Sequence, residues 1–254
     1  MDVAAYLDRI GYSGSTEPTA GTLRRLHRAH MLTVPFENLD IALHRAILLD
    51  RDKFINKIVR ERRGGFCYEL NGAFAALLEE LGFEVTLLSA RVPRQDGSES
   101  PEFDHLTLRV DLEEPWLADV GFGDFILEPL RLTVDLAQKQ DAGVFRIREG
   151  DGDLHIEKLQ VNGEPVEQYR FTLQPRRLEE FSGMCDFHQT SPESPFTRKS
   201  LCSLATPRGR ITISERKLIE TQNGRRQERE LASDEEWKRL LRGKFGVILP
   251  NADA

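Results

Sequence analysis

Apolar residues recur three and four positions apart along the first third of the chain, and this spacing predicts helices. The strongest pattern spans residues 66–81, and Gly82 follows it where a left-handed C-cap belongs. The same spacing predicts four shorter helices, at 4–10, 22–31, 36–43 and 51–60. We therefore expect the chain to begin with a helical bundle.

From residue 83 apolar and polar positions alternate, which is typical of strands. Turn sequences such as Asn162-Gly163 separate the alternating segments. The alternation predicts strands at 83–92, 103–112, 116–122, 143–148, 154–161 and 169–173. Short strands joined by tight turns favour a barrel or a sandwich.

The last part of the chain mixes the two patterns. They predict a helix at 177–188 and strands at 200–205, 210–214 and 217–220. A final helix is expected to begin at Ser233, which forms a capping box with Glu236, and to end before Gly243. Helices, then strands, then a mixed segment predict an α+β fold.

The charge balance limits the partners that the protein can bind. Among 254 residues, 42 Asp and Glu stand against 35 Lys and Arg, which gives a net charge of −7. An acidic protein with scattered basic residues is a poor match for nucleic acids or anionic membranes, because those ligands require clustered positive charge. No apolar run approaches the roughly 18 residues that a membrane-spanning helix needs, and no secretory leader is visible.

Cysteine usage points to a reducing compartment. Three cysteines cannot all pair, and none lies in a CxxC motif, so we expect a cytoplasmic protein. Cys185 and Cys202 have no histidine or cysteine at ligand spacing, and we therefore predict no metal site. Both are expected to be buried and inert.

The third cysteine, Cys67, stands at the head of the strongest predicted helix. Gly64 and Gly65 precede it and allow a sharp turn that leaves backbone amides uncovered. The positive end of the helix dipole, with Arg62 and Arg63 nearby, would favour the thiolate and so a nucleophile. On this stretch alone, Cys67 could equally be a small apolar residue of the core.

A thiolate nucleophile needs a base, and six histidines compete for that role. They are His27, His30, His44, His105, His155 and His188. We expect His27 and His30 to be solvated on a basic helix and His155 to be exposed on a strand. His188 is the second candidate for the base. His105 is favoured, because its side chain points away from the apolar face of the strand at 103–112.

Asp119 is the candidate that would orient His105. It interrupts the apolar segment 116–122, and a buried carboxylate requires a partner. A hairpin around the turn at 113–115 would bring Asp119 within a few residues of His105. Alternatively, Asp119 caps a turn at Gly121.

Several motifs in one order carry a resemblance to a known family. They are Val-Pro-Phe-Glu-Asn-Leu at 34–39, Arg-Gly-Gly-Phe-Cys at 63–67, Asn-Gly at 71–72, His105, Ala-Asp-Val-Gly-Phe-Gly at 118–123, Gln-Thr-Ser-Pro at 189–192 and Cys-Ser-Leu at 202–204. Together they closely resemble the arylamine N-acetyltransferase family over nearly the whole chain.

The resemblance implies a three-part α+β fold. Residues 1–82 would form an N-terminal helical bundle that carries the nucleophilic cysteine, and residues 83–190 a central β-barrel that carries the histidine and the aspartate. Residues 191–254 would form a C-terminal α/β lid. The implied core is a Cys-His-Asp triad like that of a cysteine protease.

The resemblance also implies a reaction. In the implied ping-pong mechanism, acetyl-CoA donates an acetyl group to Cys67 as a thioester, and an aromatic amine or hydrazine accepts it, with His105 and Asp119 completing the triad. No metal is implied.

For the rest of the site, the resemblance implies aromatic walls and a loop. Phe36, Phe122 and Phe196 would line the acceptor, and Gly121, Gly123 and Asp124 would lie near the CoA. It also implies an ion pair between Glu37 and Arg63, whereas the sequence alone favours two solvated charges.

Other functions use the same triad. An amide synthase, or a hydrolase or transglutaminase-like amidase, would place it on amide substrates, and a binding module would retain only the fold. Asp104, directly beside His105, adds a negative charge that bears on the pKa of the base and on the affinity for CoA phosphates. The acceptor, the preferred acyl chain and the oligomeric state are not predicted.

Overall fold

The N-terminal part of the computed structural model, which describes residues 1–94 and 97–249, is helical. The helices are α1 (Val3–Arg9), α2 (Ala20–Thr33), α3 (Leu39–Ala42), α4 (Arg51–Ile55) and α5 (Cys67–Glu80), and a π-helical turn, Asn56–Arg60, continues α4. Gly82 follows α5 with a φ of +85°, as predicted for a left-handed cap.

The helix predicted at 36–43 is wrong in its first half. Phe36–Glu37 forms a two-residue strand, β1, and only Leu39–Ala42 is helical. Phe36 pairs with Ser203 and forms a bridge with Gly65, so backbone pairing to distant residues overrides the local periodicity here.

An antiparallel sheet of eight strands follows. Its strands are β2 (Glu84–Arg91), β3 (His105–Asp111), β4 (Pro115–Ala118), β5 (Leu130–Arg131), β6 (Gln138–Gln140), β7 (Gly143–Gly150), β8 (Asp153–Leu159) and β9 (Pro165–Phe171). Their order is β5-β4-β3-β2-β9-β8-β7-β6.

Side chains of β6 bring the two edges of this sheet together. The amide of Gln138 both accepts from Arg131 N at 2.8 Å and donates to Arg131 O at 3.0 Å. Gln140 binds the backbone of Leu127 and Glu128 in the same way. The predicted barrel is therefore present and nearly closed.

The strand predicted at 116–122 ends at Ala118. Asp119 Oδ1 accepts a hydrogen bond from Gly121 N at 2.9 Å, and this local bond forms a turn that ends the strand. The short strands β5 and β6 were not predicted, because the first has two residues and the second is entirely polar.

The C-terminal part combines helices with a five-stranded antiparallel sheet. A 3₁₀ turn, Leu178–Phe181, leads into α6 (Ser182–Thr190), and α7 (Pro195–Arg198) follows. The sheet has the order β1-β10-β11-β12-β13, with β10 (Leu201–Thr206), β11 (Gly209–Ser214), β12 (Lys217–Gln222) and β13 (Arg225–Glu230). The sequence gives no alternation for β13, in which all six residues are exposed.

The final helix, α8 (Asp234–Phe245), begins as predicted, since Ser233 Oγ accepts from Glu236 N. It does not end before Gly243. It ends at Phe245, and Gly246, which has a φ of +68°, provides the left-handed cap.

The barrel, α5 and the C-terminal sheet position the site described next. Helix α5 is buried along almost its whole length, and it packs against β2 and β3. No helix in the described ranges is both long and apolar enough to cross a membrane. The domain boundaries after residues 82 and 190 remain predictions.

Candidate active site

Cys67 is the first residue of α5 and is buried, with 4% of its surface exposed. The turn before it requires glycine, because a Cβ on Gly64 would lie 1.8 Å from the carbonyl oxygen of Pro35. Gly121 has the same requirement, since a Cβ there would lie 2.8 Å from the Cα of Cys67. The turn that follows Asp119 therefore packs directly on the cysteine.

His105 and Asp119 meet as the hairpin prediction required. Leu108 pairs with Ala118, so Asp119 follows opposite Thr107, two residues from His105 and on the same face. His105 Nε2 lies 2.7 Å from Asp119 Oδ2. Because Asp119 also accepts from Gly121 N, both interpretations of this carboxylate are correct.

Two further side chains bind Asp119. Asn71 Nδ2 donates to Oδ1 at 2.9 Å, and the hydroxyl of Tyr169 donates to Oδ2 at 2.9 Å. Burial acts to raise the pKa of Asp119, but the imidazole of His105 and these amide donors outweigh it and hold the pKa below its usual value. Asp119 is therefore an ionised carboxylate in the interior.

Sequence reasoning missed both of these partners. Asn71 lies one helical turn after Cys67, and that spacing could have revealed it, because residues four apart share a helix face. Tyr169 reaches the site only through the pairing of β9 with β2, for which the sequence carries no local signal.

His27 also belongs to this site, contrary to the expectation that it is solvated. It is fully buried, and burial lowers its pKa to about 4, so the ring is neutral. Nδ1 donates to Leu127 O at 3.0 Å, which leaves Nε2 to accept from Asp119 N at 3.1 Å. His27 therefore holds the backbone of Asp119.

Two other histidine predictions are wrong for the same reason. His30 is fully buried between the rings of Tyr6 and Phe74. His155 is 5% exposed and lies 2.9 Å from Glu167 and 3.0 Å from Gly150 O. Tertiary packing covers the faces that the local sequence marks as polar.

The ionisation of Cys67 differs from the expectation. Burial raises the pKa of its thiol well above the usual value, and the negative charges of Asp104 and Asp119 raise it further, whereas a hydrogen bond from the backbone of Leu106 lowers it. Arg63 does not offset this effect. Its guanidinium is buried against Glu37 at 2.9 Å and Asp40 at 3.0 Å, as the family resemblance implied for Glu37.

His105 lies between two residues that pack against this thiol. Its two chain neighbours both contact Cys67: Asp104 O lies 4.0 Å from Sγ, and the backbone of Leu106 is hydrogen-bonded to the cysteine. Asp119 occupies Nε2 of the imidazole, which leaves Nδ1 as the nitrogen for a second partner. Nδ1 and the thiol therefore belong to adjoining segments of the same site.

The three candidate wall residues line the same region. The ring of Phe122 packs edge-on against His105, with centroids 5.1 Å apart. Phe196 lies 6.1 Å from Phe36 and 6.0 Å from Phe66. Gly123 faces the Phe36 ring, which a Cβ would meet at 3.8 Å. These rings give the surroundings of His105 and of the turn at Gly123 an apolar character.

A second histidine and aspartate lie close to Cys67. His188 Nε2 is 3.2 Å from Asp104 Oδ1, and the ring of His188 packs edge-on against Phe196. The carboxylate that the sequence placed beside the base therefore points to another histidine. Among the described residues, no group of three or more His, Cys, Asp or Glu could hold a metal ion.

Comparison with known proteins identifies the family. The model of the N-acetyltransferase family matches residues 19–254. The chain is 37% identical over 276 residues to the arylamine N-acetyltransferase of Gallus gallus named pineal gland isozyme NAT-3, covering 98% of this chain and 95% of that protein. This chain belongs to the arylamine N-acetyltransferase family.

Solved structures of arylamine N-acetyltransferases confirm the α+β fold. The enzyme from Salmonella typhimurium superposes with a TM-score of 0.93 at 30% identity, over 99% of this chain and 93% of the other. The Mycobacterium marinum enzyme, solved in complex with CoA, gives a TM-score of 0.90 at 30% identity, over 97% of this chain and 93% of that one. The chain is thus an enzyme of an acyltransferase family.

Proposed function

We propose that this protein transfers an acetyl group from acetyl-CoA to the nitrogen of aromatic amines or hydrazines, through a thioester on Cys67. The observation that carries the proposal is the cysteine at the head of α5, packed on the turn of an ionised Asp119 that binds His105 at 2.7 Å. The relatives bear the name of this activity, and one neighbour was solved with CoA.

In the first half-reaction, Cys67 gives its proton to Nδ1 of His105. A lone thiolate is disfavoured in this buried site, so the thiolate forms as an ion pair with the imidazolium that Asp119 stabilises. The sulfur attacks the carbonyl carbon of the donor, the bond to the sulfur of CoA breaks, and the imidazolium protonates the departing thiolate. The acetyl group remains on Cys67.

In the second half-reaction, the nitrogen of the acceptor attacks the acetyl carbon. His105 removes a proton from that nitrogen, the bond to Sγ breaks, and the imidazolium passes this proton to the departing thiolate, which restores the Cys67 thiol and the neutral imidazole. Backbone amides of Cys67 and Tyr68 at the start of α5 would bind the oxyanion in both steps. The walls formed by Phe36, Phe122 and Phe196 exclude water from the thioester.

The direct test is to mix the reduced protein with acetyl-CoA, omit the acceptor, and map the digested protein by mass spectrometry. One acetyl group is expected on Cys67. Cys185 and Cys202 are internal controls, because both are buried elsewhere: Cys185 contacts Ile47 and Gln189, and Cys202 packs in the cluster beneath α8. An unmodified Cys67 in protein that is shown to be reduced overturns the proposal.

The alternative functions predict other outcomes for the same sample. A hydrolase or transglutaminase-like amidase would release acetate to water at a rate that arylamines do not change. An amide synthase would acylate Cys67 but leave arylamines and hydrazines without product. The structure holds no specific feature that favours either over acetyl transfer, since all three share the triad.

A further inference from the structure

The face of the C-terminal sheet that looks toward the active site carries a largely buried arginine, Arg210. In the strand register, Phe36 lies opposite Ser203, and Ser203 lies opposite Thr212. Arg210 lies opposite Ala205, two residues along the same strands. Directly paired residues and those two positions away share a face, so Arg210 is on the side of the sheet that presents Phe36.

The other face of this sheet is apolar. Cys202, Ile211 and Ile213 form a core cluster with Leu241 and Phe245 of α8. Packing against α8 therefore explains why Ile211 and Ile213 of β11 are apolar. It does not explain why Arg210, on the opposite face, is largely buried.

The contacts of Arg210 leave its charge poorly compensated. Its side chain is only 12% exposed, and Nη1 donates to the neutral hydroxyl of Ser203 at 3.0 Å. Nε lies 3.2 Å from Asp124 Oδ1, without the alignment of a hydrogen bond. The carboxylate of Asp124 is 77% exposed, so the cation has lost most of its hydration while the anion has kept most of its own.

The turn 121–124 links this arginine to the nucleophile. It begins with Gly121 against Cys67, passes the Phe36 ring at Gly123, and ends with Asp124 at the guanidinium. Arg210 is therefore separated from the thiol by the length of one turn and lies past the Phe36 wall. Acyl-CoA has the same order of groups, because its pantetheine arm lies between the thioester and the phosphates.

We propose that Arg210 binds a phosphate of the acyl-CoA donor, which takes the place of the Asp124 carboxylate. This inference rests on the proposed acetyl transfer and names the residue that recognises the charged end of the donor. A guanidinium offers a planar pair of donors that suits phosphate oxygens. A protein with a net charge of −7 requires such a local cation to bind a polyanion.

The test compares donors that share the thioester and differ in the phosphates. Arg210→Met is expected to lower kcat/KM for acetyl-CoA by about 10-fold to 100-fold, the value of charge-assisted hydrogen bonds to one phosphate. With S-acetylpantetheine, which has the arm but neither the diphosphate nor the 3′-phosphate of CoA, kcat/KM is expected to stay within about twofold of the wild type.

Three further variants sharpen the result. Arg210→Lys retains the charge and is expected to lose less with acetyl-CoA than Arg210→Met. Asp124→Asn is expected to lower the KM for acetyl-CoA, because no carboxylate competes with the phosphate. Arg229→Met is the matched control: this arginine lies on β13 opposite Leu218, on the α8 face, and its loss is expected to leave the acetyl-CoA kinetics unchanged.

Equal losses of kcat/KM with both donors in Arg210→Met would show that Arg210 supports the protein structure or the pantetheine arm. No loss with either donor would show that Arg210 does not bind the donor. Either result overturns the inference. Failure of the proposed function gives a different result. In that case the wild type transfers acetyl from neither donor and forms no thioester with p-nitrophenyl acetate, whereas a misassigned arginine leaves all wild-type reactions intact.

Discussion

Two histidine–aspartate pairs lie near Cys67, and their surroundings differ. The inner pair, His105 and Asp119, is 2.7 Å apart, and its carboxylate is fully buried. The outer pair, His188 and Asp104, is 3.2 Å apart, and 14% of its aspartate side chain is exposed. The same two residue types therefore occur twice in one site.

The difference lies in what holds each carboxylate. Asp119 receives hydrogen bonds from the Gly121 amide, from Asn71 on α5 and from Tyr169 on β9, so three separate elements fix its position. Asp104 is instead tied through its backbone carbonyl, which accepts from the hydroxyl of Tyr68 at 3.1 Å. Among the described residues, the carboxylate of Asp119 thus has partners on several elements besides its histidine, whereas the contact found for the carboxylate of Asp104 is the one with His188.

Removing the charge of the inner carboxylate gives the largest expected effect. Asp119→Asn is expected to lower kcat/KM for acetyl transfer by roughly 10³-fold to 10⁴-fold, because the amide misorients the imidazole and no longer stabilises imidazolium. Steady-state kinetics with one arylamine measures the effect. A loss as large from Asp104→Asn would remove the distinction between the pairs.

The backbone anchor of the inner pair predicts a pH-dependent stability. His27 is neutral in the folded protein with a pKa of about 4, whereas an unfolded histidine has a pKa of about 6.5. The unfolded state therefore takes up its proton first as the pH falls, and this group destabilises the fold by about 3 kcal/mol between pH 6.5 and 4.

Urea unfolding at a series of pH values measures this effect. The free energy of unfolding of the wild type is expected to fall more steeply below pH 6.5 than that of His27→Gln, which has no proton to take up. Parallel curves for the two proteins would contradict the buried neutral imidazole.

Tyr169→Phe removes one donor from the inner carboxylate and keeps the ring. We expect a loss of about tenfold in kcat/KM, which corresponds to one hydrogen bond to a charged group. Thr107 is the matched site, because its hydroxyl contacts Tyr169 at 3.1 Å and not the carboxylate. A larger loss from Thr107→Val than from Tyr169→Phe would contradict the account.

The smallest expected effect concerns the outer pair. Asp104 raises the pKa of Cys67 through its negative charge, so Asp104→Asn is expected to lower the pH midpoint for alkylation of Cys67 by roughly half a unit to one unit. The rate of iodoacetamide labelling against pH measures this shift. A midpoint that rises would mean that Asp104 assists the thiolate.

The sequence predicted the parts of the fold that depend on local signals. Gly64 and Gly65 indicated the turn before Cys67, and the hairpin at 113–115 indicated that His105 and Asp119 meet. Both signals work because glycine and tight turns fix the backbone locally.

The parts that failed depend on distant contacts. Phe36 forms a strand with Ser203 rather than a helix, and β13 is a strand through its pairing with β12. His27 looked solvated beside its basic neighbours, yet the barrel covers it and uses it to hold Asp119. The segment that packs against a helix or strand decides which face is buried. The local sequence of the helix or strand does not identify that segment.

The central claim is that His105, oriented by Asp119, ionises a thiol whose burial opposes ionisation. The most direct measurement is the pH profile of Cys67 alkylation in the wild type and in His105→Gln. We predict a wild-type midpoint several pH units below that of the variant, whose thiol has lost its proton acceptor. The same midpoint in both proteins would contradict the account.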